Sequence, residues 1–419
     1  MKVLQICNKP PYPPVDGGTL AMNSITQGLM AAGHEVKVLS VFTDKHPVQQ
    51  SHIPQEYLSR TRFESVYIDL TPKVLDAAVA MLCGESYHVK RYVSRAFEKK
   101  LDEILQKEDF DVVQMEGIFL TPYVNLVRRR SHAKIVLRAH NVENQIWERM
   151  SKSCRNPLKR QYLKHLALTL KAYEAAHIND YDAVACITQN DANYFKASGC
   201  RKPLASIPFS VTPEPIENID VEEHSLFHLG SMDWMPNVEG IDWFLTEVWP
   251  KVHQEVPLAH IYIAGRKMPQ RYKEIRQEGV TVVGEVPDAM YFIASKQINV
   301  VPLLSGSGIR VKIIEAMSAG KTVITTTVGA QGICYEDGKH ILIANTPDEF
   351  VHHIKHCIED PSFCRTIGQN AYNLIVNEYT TEKLTQKLIG FYDVVSPDSE
   401  TEPIQATQRS ATFDEEERN

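Results

Sequence analysis

Residues 300–324 read Val-Val-Pro-Leu-Leu-Ser-Gly-Ser-Gly-Ile-Arg-Val-Lys-Ile-Ile-Glu-Ala-Met-Ser-Ala-Gly-Lys-Thr-Val-Ile. The apolar run ending here, 298–304, predicts a buried strand. Ser305-Gly306-Ser307-Gly308 is a turn of small residues. A helix is predicted from near Ile309 to Gly320, where glycine is a common stop. A further strand follows from Thr322. Small residues let backbone N–H groups approach an anion, and the new helix aims its free N–H groups and positive dipole end at it. Arg310 and Lys312 fall in the predicted first turn, where a cation opposes the dipole. A diphosphate would neutralise them. The plainer alternative is a tight strand-to-helix turn with two exposed basic residues.

Outward from this segment, strands alternate with helices in both directions. Strands are predicted at Val3–Cys7, Val36–Phe42, Val66–Leu70, Asp111–Met115, Lys134–Ala139 and Ala183–Thr188. A second series covers Leu226–Leu229, His260–Ala264, Thr281–Val283, Ile298–Leu304, Thr322–Thr326 and Ile341–Ala344. Helices are predicted at about Thr19–Ala32 and Pro157–Asn179, among others. Such alternation means parallel sheets covered on both faces. The fold class is therefore α/β, with two similar halves and a cleft between them. The expected division is a first domain at 1–208, a proline-rich linker at 209–222 and a second domain at 223–378. A final helix at 379–395 carries Leu384, Leu388, Phe391, Tyr392 and Val395 on one stripe, which predicts that it crosses back to the first domain. Residues 396–419 are polar and acidic and are expected to be a disordered tail.

Over 419 residues the formal net charge is −7, which argues against a general nucleic-acid binder. Basic clusters at Arg128–Arg130 and at Lys159, Arg160 and Lys164 read as solvated helix faces, or as patches for an anionic lipid or acceptor. The eight cysteines form no Cys-x-x-Cys pair and suit reduced, buried thiols in a cytoplasmic protein. The N-terminus lacks a signal-peptide core, and no apolar run approaches the roughly 20 residues that span a bilayer. Val74–Cys83 is the most apolar stretch. It reads first as an amphipathic helix and second as a surface that dips into a membrane.

The chain resembles the family 4 retaining glycosyltransferases of GT-B fold, in a bacterial polysaccharide-biosynthesis branch. The likeness runs from the first strand to the last helix. It is sharpest at Gly230-Ser231-Met232-Asp233-Trp234-Met235-Pro236-Asn237-Val238-Glu239-Gly240, Ala264-Gly265, Gly284–Val286, Ser305–Gly320 and Arg138-Ala139-His140-Asn141-Val142-Glu143. The resemblance implies two Rossmann-like domains, an acceptor-side N-terminal one and a C-terminal one that binds a nucleotide sugar. It implies that Glu315 accepts from the ribose hydroxyls of the donor. The family's other glutamate would fall at Ser307, where this sequence departs from the pattern. The 230–240 loop has no Arg or Lys, so diphosphate neutralisation passes to Arg310 and Lys312, with Lys267 a weaker candidate.

The remaining donor-binding candidates are Gly17, Gly18, Gly230, Ser307 and Gly308. Gly17 and Gly18 read either as a turn before a helix or as a loop facing the donor phosphates. The absence of Gly-x-Gly-x-x-Gly counts against a nicotinamide or flavin site. His140 ends a predicted strand on the cleft side, and the resemblance places it at the donor sugar, as a catalytic residue with Arg310 and Lys312. Glu143 either caps the next helix or touches acceptor. His352, His353 and His356 read as a solvated face rather than a metal site. No cofactor and no metal are expected.

The expected partners are a nucleotide-sugar donor and a carbohydrate or lipid-linked acceptor. The N-terminal domain would supply any peripheral membrane contact, at the inner face of the cytoplasmic membrane. Two other readings stay open: a sugar-nucleotide epimerase of the same fold, and a non-catalytic nucleotide-sugar-binding module.

Overall fold

Seven parallel strands build the first sheet: β1 (Lys2–Cys7), β2 (Glu35–Phe42), β3 (Glu64–Tyr67), β4 (Val112–Glu116), β5 (Lys134–Ala139), β6 (Ala183–Cys186) and β7 (Leu204–Ser206). Their order is β3-β2-β1-β4-β5-β6-β7. Six more build the second: β8 (Ser225–Leu229), β9 (His260–Ala264), β10 (Val280–Gly284), β11 (Ile298–Val301), β12 (Thr322–Thr325) and β13 (Leu342–Ile343), ordered β10-β9-β8-β11-β12-β13. This computed structural model describes residues 1–14, 16–48, 53–154, 156–211, 219–306 and 308–395. Ser307, residues 212–218 of the expected linker and the expected tail at 396–419 lie outside the described residues.

Both sheets reverse strand order beside their first strand: β1 lies between β2 and β4, and β8 between β9 and β11. At such points the chain leaves toward opposite faces and opens a crevice at the carboxyl ends of the strands. The central strands β1, β4, β11 and β12 are buried on both faces, as parallel sheets covered by helices require, while the edge strands β3, β7 and β10 are only partly buried. One apolar cluster around Leu4, Val113 and Phe97 and another around Val3, Leu29 and Leu388 pack the first sheet. Clusters around Ile261 and Phe350, and around Val301 and Met317, pack the second.

Several elements differ from the sequence reading; β3, for one, runs Glu64–Tyr67 rather than Val66–Leu70. β11 stops at Val301 rather than Leu304, because Pro302 has no N–H for the ladder. β7 was not foreseen; it is a three-residue edge strand paired only to β6. The first helix begins at Gly17, not Thr19. Asp16 caps it by accepting from the Thr19 N–H at 2.9 Å, while Thr19 Oγ1 accepts from the Asp16 N–H at 2.9 Å. That box puts Gly17 and Gly18 in the first turn. All eight cysteines are unpaired, but Cys83 and Cys334 are exposed rather than buried.

The final helix, Thr381–Val395, lies on the first sheet's side of the molecule. Leu384, Leu388 and Tyr392 join Met22, Ile25 and Leu29 of the first helix, Gly17–Ala31, in one cluster. Its Thr385 comes so close that a Cβ on Gly28 would overlap the hydroxyl.

Candidate active site

After β11 the chain turns through Gly306 (φ 125°) and Gly308 (φ 76°), left-handed conformations that favour glycine. The site helix then runs Val311–Ser318. It starts two residues later than the sequence suggested, so Arg310 is its extended capping residue and only Lys312 lies in the first turn. Arg310 is buried. It donates from Nη1 to the Gly308 carbonyl at 2.7 Å, and its guanidinium lies 5.4 Å from the Trp234 ring centre. Burial, then the neighbouring Arg149, pulls Arg310 down to about 10, so it stays charged at neutral pH.

Lys312 donates from Nζ to Asn237 Oδ1 at 2.6 Å and meets His228 Nε2 at 3.3 Å. Burial, then Arg310, pulls it down to about 7, with Glu315 acting the other way. Glu315 follows one turn later; burial pushes its carboxyl up and Lys312 partly offsets this. Gly230, after β8, sits against this group: a Cβ there would press on the Lys312 ammonium and lie 2.8 Å from Asn237 Nδ2.

Gly17, Gly18, Gly230, Arg310, Lys312 and Glu315 line one cavity of about 730 Å³ between the two sheets. Asp16, Ser231, Trp234, Arg266 and Glu285 also border it. Asp16 is held by Lys9, whose Nζ reaches both carboxylate oxygens at 2.7 and 2.8 Å. Gly308 faces a neighbouring hollow with Arg149 rather than this cavity; its contribution is the carbonyl that holds Arg310. Lys267 is exposed and paired with Asp233 at 2.6 Å. His353 meets the Ile343 carbonyl at 3.1 Å, and His356 stacks on Phe363.

His140 and Glu143 stand on the first domain and do not line that cavity. His140, just after β5, shares a 2.7 Å hydrogen bond from Nε2 with Glu116 Oε2 at the end of β4. Glu116 is fully buried. Burial alone would raise its carboxyl, but His140, then Arg138 and Gln5, hold it below the usual value. Gln5 and Gln114 also donate to it, and Gln114 in turn accepts from Tyr392 of the final helix.

Glu143 opens the helix Glu143–Ser153 but does not cap it. Glu174, from the helix Pro157–His177, accepts from the Glu143 N–H at 2.9 Å and the Asn144 N–H at 3.3 Å. The cap reading of Glu143 is therefore corrected: a carboxylate from a distant helix takes the free N–H groups. Burial, then Glu174, pushes Glu143 up to about 7.

Residues 15–214 match the family model described as "Glycosyltransferase Family 4", and residues 223–360 match "Glycosyl transferases group 1". The chain belongs to the family 4 glycosyltransferases. An uncharacterized 44.6 kDa protein in the cps region of Klebsiella pneumoniae is 24% identical over 394 residues, 91% of this glycosyltransferase and 97% of the relative. HepE of Anabaena, solved in complex with UDP, covers 94% of this chain and 100% of its own at 15% identity, with TM-score 0.64. Sucrose-phosphate synthase of Thermosynechococcus elongatus covers 94% and 99% at 15% identity, with TM-score 0.68. These likenesses establish the GT-B architecture.

Several residues of this glycosyltransferase's site escaped the sequence reading. His228 and Glu116 had one available signal: an ionisable side chain within a mainly apolar strand segment. Asn237 and Trp234 lay within a quoted motif but carried no assigned role. Arg149 reads as a surface residue of a charged helix, yet its Nη1 donates to the Gly306 carbonyl at 2.7 Å across the cleft.

Proposed function

We propose that this glycosyltransferase takes a sugar from a nucleoside diphosphate donor and passes it to a hydroxyl of a carbohydrate or lipid-linked acceptor. Transfer proceeds with retention and without a metal ion, in surface polysaccharide or glycoconjugate synthesis. One observation carries the reading: Arg310, Lys312 and Glu315 share a cavity with Gly17, Gly18 and Gly230 at the carboxyl ends of both sheets. As the glycosidic bond breaks, negative charge gathers on the leaving diphosphate. Arg310, Lys312 and the N–H groups of the site helix receive it. Glu315 accepts from the ribose hydroxyls. His140, oriented by Glu116, acts at the sugar, and Glu143 faces acceptor. The UDP named with HepE and the cps region named with the Klebsiella relative support the donor class and the pathway.

The experiment is a transfer assay with free UDP titrated separately. Glu315→Ala weakens UDP binding by about 1.5–3 kcal/mol, the value of a charge-assisted hydrogen bond. His140→Ala leaves UDP affinity nearly unchanged and lowers turnover. The reverse pattern would exchange their roles, and donor consumption that needs no acceptor would point to epimerisation instead.

The apolar helix Val74–Cys83 favours a peripheral place at the inner face of the cytoplasmic membrane. Its Leu75 and Leu82 are 81% and 84% exposed, and Leu158 of the helix Pro157–His177 is 83% exposed. Ala80 shares one apolar cluster with Tyr87, Leu163 and Leu166, which ties this helix to the one that carries Lys159, Arg160 and Lys164. Apolar side chains next to basic ones suit an anionic lipid surface. Among the described residues no helix is long and apolar enough to cross a membrane.

A further inference from the structure

Lys312 is not simply a cation at the cavity wall. An ammonium has three N–H donors. One goes to Asn237 Oδ1 at 2.6 Å and one to His228 Nε2 at 3.3 Å. His228 is itself fixed: its Nδ1 lies 2.9 Å from the Val300 carbonyl, which can only accept. The ring proton is therefore on Nδ1, and the Nε2 lone pair faces Lys312. Asn237 is fixed too, since its Nδ2 donates to the Ser231 carbonyl at 2.8 Å, which leaves Oδ1 toward the lysine. Gly230 permits the three side chains to meet behind the loop.

We propose that His228 and Asn237 are positioning residues that hold the Lys312 ammonium with one N–H left for a phosphate oxygen of the donor. This rests on the diphosphate reading of the cavity. Both acceptors are neutral: burial, then Lys312, drives His228 well below the usual histidine range. The other charged groups around Lys312 are Arg310 and Glu315 on its own segment, with Asp16, Arg266 and Glu285 around the same cavity. With Lys312 near 7, part of the empty protein carries a neutral amine at neutral pH. A diphosphate favours the ammonium, so binding takes up a proton. A carboxylate at Asn237 would fix the charge in advance; the amide leaves it responsive to ligand.

The test measures UDP affinity of the full chain from about pH 7 to about pH 9, where the terminal phosphate of UDP is already ionised. Proton uptake is read by calorimetry in buffers of different ionisation enthalpy. Wild-type affinity should fall as pH rises, by at most about tenfold per pH unit. Asn237→Leu and His228→Phe should move that fall to lower pH. Asn237→Asp should move it to higher pH and reduce proton uptake at about pH 8. A merely structural role would weaken binding in all three without opposite shifts. Unchanged uridine affinity reports an intact fold. If Lys312→Met loses UDP affinity while the Asn237 variants keep the wild-type profile, the positioning role is overturned. If Lys312→Met binds UDP as well as wild type, the diphosphate reading falls and this inference falls with it.

Discussion

Arg310 stands where its charge costs most. It is buried, next to Arg149, and at the positive end of the site helix. Gly308 and Trp234 keep it aimed, and under the proposed function a ligand phosphate offsets the charge. Arg310→Ala should lose about 1.5–3 kcal/mol of UDP binding, or roughly 10- to 150-fold. Uridine should lose little. Arg310→Lys should recover only part, because a point charge cannot copy the two-pronged guanidinium. Equal losses for uridine and UDP in titration would mean damage to the fold. Glu143 makes a second residue-scale case. Its carboxyl is ordinarily near 4.5 and rises to about 7 in the fold. A raised value contributes stability below the unfolded pKa that is lost as pH rises through the folded one. Wild type should therefore weaken between about pH 4.5 and pH 7 relative to Glu143→Gln, which should gain roughly 1–3 kcal/mol above that window. Urea melts at about pH 5 and pH 8 measure this, and a pH-independent difference would count against it.

At the scale of elements, the final helix decides how the halves are joined. It buries Leu384, Leu388 and Tyr392 against the first helix and sheet. Tyr392 reaches Gln114, so the helix ends in the buried group that holds Glu116 and His140. Two glycines on this helix pair behave oppositely. Gly28 faces Thr385 and Thr381, whose atoms a new Cβ would meet. Gly28→Ala gains about 1 kcal/mol of helix propensity but overpacks the crossing by about 1–3 kcal/mol. It should be neutral to destabilising. Gly390 has nothing within 4 Å of a new Cβ. Gly390→Ala should stabilise by about 0.5–1 kcal/mol. Chemical denaturation of both variants checks the contrast, and a Gly28→Ala variant stabilised as much as Gly390→Ala would disprove the close crossing.

In the whole molecule the two sheets present their switch points to a common cleft. Arg149 bridges it to Gly306, and Asn141 lies beside Gly308. In the proposed reaction, two cations and a helix end on the donor side supply the charge that a metal would otherwise supply. Transfer should survive EDTA, and complete loss restored by Mg²⁺ would refute the metal-free scheme. The sequence alone determined the two alternating units, the apolar stripe of the final helix and the Gly-rich turn before Glu315. These follow from patterns a few residues long: apolar runs, 3.6-residue spacing and glycine stops. It misplaced the start of the site helix and the cap of the Glu143 helix. Both depend on a side chain's direction or on a distant partner. Only the tertiary structure decided what each charged group meets. Lys312 finds partners 84 and 75 positions away, Arg149 a carbonyl 157 away and Tyr392 a glutamine 278 away. No local period encodes such pairs. They arise because packing both sheets buries polar groups that must then find one another, since a buried polar group left unpaired costs about 1–3 kcal/mol.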